Sequence, residues 1–311
     1  MRVTSNTFPN TLVGQLSQLA SRQNRLQSEA TTGQRITLPE DDPSAMRRIL
    51  DLQAEAKSVG QYGQNISSLT EQAQANYEAM RGLKRISDRA GELATLADGT
   101  KSPEELQIYA IEVTQLLKEA VALANTKFQG DYIFGGTLSN QKPFELTTDT
   151  DEIVTGVTCH GNASVAKTEI AKGVTLSVQA LGANPTGSGP RGLLVDSRFG
   201  ADFFNHLIAL QDHLMAGDSD TIASTDLGQL RADEDNLLIH FGNNGAVQAQ
   251  LEAMSSMSGK RGDTLEGLVS QEADADLAET LVRLTQTQNA YTAALQSGAR
   301  ILNTTLLDYL R

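Results

Sequence analysis

DADLAETLVRLTQTQNAYTAALQSGARILNTTLLDYLR, residues 274–311, decides how the chain folds. Its large apolar residues fall at Leu277, Leu281, Leu284, Tyr291, Leu295, Leu302 and Tyr309. With Gln288, Gly298 and Thr305 in the gaps, the spacing alternates four and three without a break from Leu277 to Tyr309. A period of ~3.5 residues is the seam of a helix that lies along other helices. Straight, the segment would be ~50 Å long at ~1.5 Å per residue. Pro190 is the last proline of the chain, so no backbone chemistry breaks the helix. Three seam positions lack a large apolar group, and an interior glycine costs about 1 kcal/mol relative to alanine. Such a helix leans on partners, which points to an assembly device.

The other end of the chain repeats the pattern. Leu12, Leu16, Leu19, Gln23, Leu26 and Ala30 form a second four-three seam, and Gly33 is placed to end it. GQRITLPEDDPS, residues 33–44, reads as a turn in which Asp42 caps the next helix and Pro43 takes its first position. A helix is predicted over 44–97, stopped by Asp98-Gly99. Ser102-Pro103-Glu104-Glu105 then starts another, with a capping serine and a glutamate three residues on. Its seam runs Leu106, Tyr109, Val113, Leu116, Ala120, Leu123 and on to Phe128. From Gly130 the period changes, and the runs 153–158 and 174–179 read as strands. Residues 183–192 read as a flexible loop. Helical pattern resumes at 203–214 and again at 225–239, continued by Val247, Leu251 and Met254, with GKRGD at 259–263 expected to interrupt it. The fold class that follows is mainly α with a small β insert, a long antiparallel helical bundle formed by the N- and C-terminal segments. Residues 1–137 and 200–311 form a discontinuous bundle and 138–199 a small β-rich insert, with both termini expected at one end and the insert at the other.

Composition removes several function classes. A formal charge of −13 argues against a nucleic-acid surface, which needs phosphate-neutralising Lys and Arg. No apolar run approaches the 18 or so residues of a spanning helix, so no membrane insertion is expected. The opening MRVTSNTFPN lacks the basic-then-apolar layout of a secretory signal. Cys159 stands alone, so no intrachain disulfide forms. An aromatic content of 5% with no Trp suits thin helical cores.

Residues that could carry chemistry do not converge. Gly187-Ser188-Gly189-Pro190-Arg191-Gly192 spells G-x-G-x-x-G, but a dinucleotide site needs it to open a helix after a strand. Here an extended Leu193-Leu194-Val195 follows. His160, His206, His213 and His240 include no i,i+4 pair, and Cys159-His160 has no distant partner, so no metal site is expected. His206 and His213 read as the edge of a helix face. Asp274 and Asp276 suit the N-terminus of a helix, where the macrodipole favours acids, better than a calcium loop. No G-x-S-x-G elbow occurs, and neither an enzymatic activity nor a cofactor is expected.

Three groups of residues carry a resemblance. Gly33-Gln34-Arg35-Ile36 with Pro39, Asp41-Asp42 and Pro43-Ser44-Ala45 is similar to the loop after the first helix of the flagellin superfamily. Residues 128–137, FQGDYIFGGT, with Gly130, Tyr132, Phe134, Gly135 and Gly136, resemble the exit from the third helix in its hook–filament junction family, that of hook-associated protein 3. The ending, from Asp274-Ala275-Asp276 through Gln288-Asn289-Ala290-Tyr291 to Leu306-Leu307-Asp308-Tyr309-Leu310, resembles a superfamily ending, and the opening MRVTSNTF fits the junction family. The resemblance covers residues 1–137 and 200–311. It implies a flagellin-like fold whose terminal helices pack in the inner tube of a helical assembly, with the β insert facing outward. It also implies export without a cleaved signal peptide to the extracellular bacterial flagellum, and a structural role joining hook to filament. The implied partners are copies of itself, a neighbouring hook-associated junction protein, flagellin and an export chaperone. Filament flagellin, or an adhesin or glycan-binding module on a helical stalk, remain the alternatives at this point.

Overall fold

The computed structural model describes the backbone of residues 7–309 and the side chains of residues 11–300. Residues 1–6 of the opening motif, and the side chains of Leu302, Thr305, Leu306, Leu307 and Tyr309, lie outside what is described. The elements are α1 (Thr7–Thr32), α2 (Pro43–Leu96), α3 (Pro103–Ala124), β1 (Lys127–Phe128), β2 (Asp131–Tyr132), β3 (Phe144–Thr148), β4 (Val154–Cys159), β5 (Thr168–Ala171) and β6 (Val174–Leu176). They continue as β7 (Leu181–Asn184), β8 (Gly192–Asp196), β9 (Ala201–Asp202), α4 (Phe203–Ala216), the short turn α5 (Ser219–Thr221), a π-helical turn Ile222–Asp226, α6 (Leu227–Ala273) and α7 (Leu277–Tyr309). The fold is mainly α with small sheets, as the periodicity predicts.

Local signals set most boundaries. The Asp42 carboxylate accepts from the backbone N–H of Ser44 (3.1 Å) and Ala45 (3.0 Å) and starts α2. Ser102 and Glu105 form a reciprocal capping box at the start of α3. Two helix boundaries differ from the sequence reading. α6 runs unbroken through 259–263, because two separated glycines without a proline weaken a helix but do not terminate it. α3 stops at Ala124 rather than Phe128, where the Asn125 amide takes over: it donates to the Val121 and Phe144 carbonyls and accepts from the Phe144 N–H.

The chain divides into two compact units, residues 1–58 with 260–311, and residues 59–259. In the first, Ile36, Ala45, Ile49 and Ala273 form a small core against Met46 and Val269. In the second, Leu83, Leu93, Leu117, Phe203 and Leu207 of the helices share one core with Phe144, Val154, Leu193 and Leu194 of the strands. Strands β3, β4 and β8 are thus built onto the helical core, whereas Ile170 of β5 packs on Ile66, Leu69 and Leu251 of α2 and α6. Gln211, fully buried on α4, makes the joint polar as well: it accepts from the Thr114 hydroxyl (2.8 Å) and donates to the Val154 carbonyl (3.1 Å).

β3–β4 and β5–β6 are antiparallel hairpins, whereas β7 and β8 run parallel. The 187–192 stretch belongs to the return between those parallel strands, and the Asn184 side chain holds it by donating to the Ser188 and Pro190 carbonyls. At the end of β8, Asp196 is fully buried; it accepts from the Gly192 N–H (2.9 Å) and from the Arg198 guanidinium (2.8 Å). Burial alone would raise its pKa, but the hydrogen bonds and the charge of Arg198 outweigh that and bring it down from 3.8 to about 2. A depressed acid contributes stability in full above its unfolded pKa and loses it as pH falls through the folded one. Between pH 4 and pH 2 the urea midpoint of the wild type should therefore fall more steeply than that of Asp196→Asn, and superimposable pH profiles would refute this role.

Candidate assembly surface

The first unit pairs α1 with α7. On α1 the covered row is Leu12, Leu16, Leu19, Gln23, Leu26 and Ala30, the four-three seam read from sequence. On α7 the covered row is Thr280, Leu284, Thr287, Tyr291, Ala294 and Gly298. The seam read for α7 therefore divides. Leu284 and Tyr291 are turned toward cover, while Leu277 (48% exposed), Leu281 (54%) and Leu295 (44%) face solvent.

The reason lies in side-chain size. One heptad row is common to both stripes; on its one side stand Thr280, Thr287 and Ala294, on its other Leu281, Gln288 and Leu295. α1 lies on the small side, where backbones can approach closely. Gly298 shows the closeness: a Cβ there would overlap the Leu12 methyl. The residue that looks like a seam gap in sequence is the hole that receives a leucine knob. Leu12 against Gly298, and Leu26 beside the Thr280 end, make the pair antiparallel.

The loop after α1 clasps the start of α7. The Arg35 N–H donates to the Ala273 carbonyl (2.7 Å), and the Ala275 N–H donates to the Gly33 carbonyl (2.8 Å). The Arg35 guanidinium reaches the Glu272 carbonyl at 2.9 Å, while the Glu272 carboxylate accepts two bonds from Arg48 at 2.9 and 3.1 Å. Ile36 is buried in the core of this unit. Asp41 folds the loop: the N–H groups of Leu38 and Thr37 donate to its carboxylate and hold its pKa below the usual range. Gly33, Arg35, Ile36, Asp41 and Asp42 thus act as one clasp between the α1–α2 and α6–α7 turns.

The second motif builds the exit from α3. Gln129 (φ 52°) and Gly130 (φ 99°) are the two-residue turn of the β1–β2 hairpin, the primed geometry that such hairpins require. The Tyr132 N–H donates to the Ser139 carbonyl. Phe134 is buried and its carbonyl accepts from the Gly182 N–H, while Gly135 and Gly136 lie against the backbones of Leu138 and Asn162.

The histidines of α4 are half-buried at the edge of its covered face, and they have partners that the sequence reading did not name. His206 and His213 on α4 each direct Nδ1 to a buried acid at 2.7 Å, Asp233 of α6 and Asp226 of the π-helical turn. Burial would lower the His206 pKa, but Asp233 outweighs it and raises it; burial in turn raises that of Asp233. The missed signal was a matched seven-residue spacing, 206 to 213 and 226 to 233. His160 pairs with Glu145, and Cys159 is exposed at the end of β4. Among the described residues, no group of three or more His, Cys, Asp or Glu could hold a metal ion, and no helix is long and apolar enough to cross a membrane.

Residues 3–139 match the sequence family of the bacterial flagellin N-terminal helical region. By fold the chain is similar to a putative flagellar hook-associated protein of Vibrio parahaemolyticus (TM-score 0.63, 17% identity), covering 75% of this chain and 100% of that one. It is likewise similar to FlgL of Bacillus cereus (0.56, 19%), with 71% and 99% covered, and to the flagellar junction protein FlgL of Legionella pneumophila (0.51, 13%), with 74% and 100% covered. No curated protein matches the chain by sequence. The flagellin-like fold expected from the resemblance is the fold observed.

The tight Leu12–Gly298 contact yields a test of the α1–α7 pair. Gly298→Val must push the Leu12 side chain out of its place and should destabilise the pair by about 1 kcal/mol, the low end of overpacking. Amide exchange along residues 12–26 should speed up while exchange in 59–259 is unchanged. Unaltered protection of α1 would refute the contact.

Proposed function

We propose that the protein is a structural component of the bacterial flagellum that joins the hook to the filament and performs no covalent chemistry. The observation that carries this reading is that Leu281 and Leu295 stand exposed on α7 beside the row that α1 covers, with Leu277 exposed at the end of the shared row. A helix already paired along one stripe and apolar along the next is suited to packing in a stack of related subunits. The likeness in fold to hook-associated and junction proteins supports the same role. Its partners are further copies of itself, a neighbouring hook-associated junction protein and flagellin, with an export chaperone binding before assembly. Its place is the extracellular flagellum, reached without a cleaved signal peptide, and the segment 138–199 faces outward.

Energetics favour assembly through these leucines. Burying one leucine on docking contributes roughly 1.5–3 kcal/mol, against a backbone ordering cost of about 1–2 kcal/mol per residue. Three partly exposed leucines become worth ordering only when neighbours cover them.

The double variant Leu281→Gln/Leu295→Gln replaces two exposed side chains and should leave the melting temperature within about 2 °C of wild type. It should nevertheless fail to add to purified hooks, scored by electron microscopy of hook tips. Normal incorporation would refute the leucine row as the assembly surface, and self-polymerisation of the wild type into long filaments would make it a filament flagellin instead.

A further inference from the structure

The second unit ties α4 to the start of α6 through two side-chain rungs. His206 with Asp233 forms one and His213 with Asp226 the other, each with Nδ1 2.7 Å from a carboxylate oxygen. The rungs step seven residues forward along α4 and seven back from α6 into the π-helical turn, so both lie in one antiparallel register. Both acids are buried, whereas both imidazoles are half-buried. A buried carboxylate is costly unless a partner compensates it, and here the histidines are the partners.

What the rungs hold is weak by itself. The chain between α4 and α6 is Gly217, at φ 71°, the single turn α5 and the π-helical turn Ile222–Asp226. Such π-turns are rare and frequently stand at functional sites. Ala223, Ser224 and Thr225 are exposed, and within the turn only Ile222 and Asp226 are buried. Segments with little buried apolar surface are the ones that open first.

Charge at this corner is one-sided. His206 faces Asp233 of α6, Asp202 at the N-cap of α4 and Asp226 of the π-helical turn. Asp202 also acts on Asp233 as a like charge. His213 faces Asp226 and Asp218. From α2, Lys84 is taken up by Asp88 and Glu234; from α3, the facing group is the neutral Thr114, bonded to Gln211. A protonated His206 thus compensates three acids, and a neutral one leaves them to repel.

We propose that His206 and His213 form a pH-sensitive latch: charged, they hold the π-helical turn on α4, and neutral, they let residues 218–230 open while the rest of the second unit stays folded. The direction follows from His206, whose pKa burial would lower but Asp233 raises from 6.5. A base raised on folding contributes in full below its unfolded pKa and loses that contribution as pH rises through the folded one. Alkaline conditions therefore release the latch. It lies in the second unit and not on the α1–α7 pair, so the assembly reading and this one stand or fall separately.

Amide exchange followed by NMR on the full chain, corrected for the pH dependence of the intrinsic rate, tests it between about pH 6 and about pH 9. Protection of residues 218–230 should fall severalfold toward the alkaline end, while Leu83, Leu117 and Leu207 keep theirs. The fall should follow the titration of the His206 ring, read from its own ring-proton shift. His206→Asn keeps a side-chain donor near the Nδ1 position but cannot titrate, and should make protection at 218–230 independent of pH. If that variant does not fold, the wild-type ring decides: a titration midpoint that does not coincide with the loss of protection overturns the latch. Protection unchanged at the alkaline end, a fall shared by the whole second unit, or a His206→Asn variant that loses protection as the wild type does would each overturn it too.

Discussion

The distance at which α1 can approach α7 governs the first unit. Helix pairs are held by dispersion and burial, both of which fall away with small gaps. Thr280, Thr287, Ala294 and Gly298 offer the closest approach, so α1 settles on them, and Leu12 fills the space that Gly298 leaves. Everything else on α7 follows from that preference. Once the small stripe is covered, a four-three sequence has no way to hide its leucines on the opposite side of the shared row. The exposed leucines are a consequence of which stripe α1 selects.

The clasp fixes the register of that contact. A four-three seam is degenerate by itself, since a shift of seven residues presents nearly the same pattern. The Gly33 and Ala273 carbonyls, each bonded across to the other turn, remove the degeneracy, because backbone groups cannot shift by a heptad. Arg48 pairs with the Glu272 carboxylate and Arg35 donates to the Glu272 backbone carbonyl, and such exposed contacts add little energy. They add geometry. Asp41 and Asp42 serve the same end, one folding the loop and the other starting α2.

Much of this was legible in the sequence. The capping box at Ser102, the cap at Asp42 and the long helices are written in short-range chemistry, which survives whatever the rest of the chain does. The covered stripe of α7 was not, because periodicity marks apolar positions and here the partner selected the small ones. The length of α6 was misread at 259–263 for a related reason: glycine reports a local preference, and tertiary packing overrides it. The His–Asp pairs escaped since two residues seven apart on one helix mean nothing until a second helix shows the same interval. The strand read at 153–158 is β4, while the one read at 174–179 ends at Leu176, and the cause is visible: the Val178 carbonyl bonds to Asn76 instead of continuing the β6 ladder.

The segment 138–199 shares its core with helices, and that constrains how it can vary. Phe144, Val154, Leu193 and Leu194 are buried against α3 and α4, so removing the strands would uncover Leu117, Phe203 and Leu207. Replacing one such side chain by alanine costs about 2–5 kcal/mol, a large part of the 5–15 kcal/mol that holds a typical domain together. Substitutions are tolerated at the exposed Val174, and not on the faces turned inward or at Gly187 and Gly189, whose φ is positive. The segment read from sequence as a small β-rich insert is, in physical terms, one wall of the helical unit. Its outer surface is free to change only as far as the wall behind it stays the same.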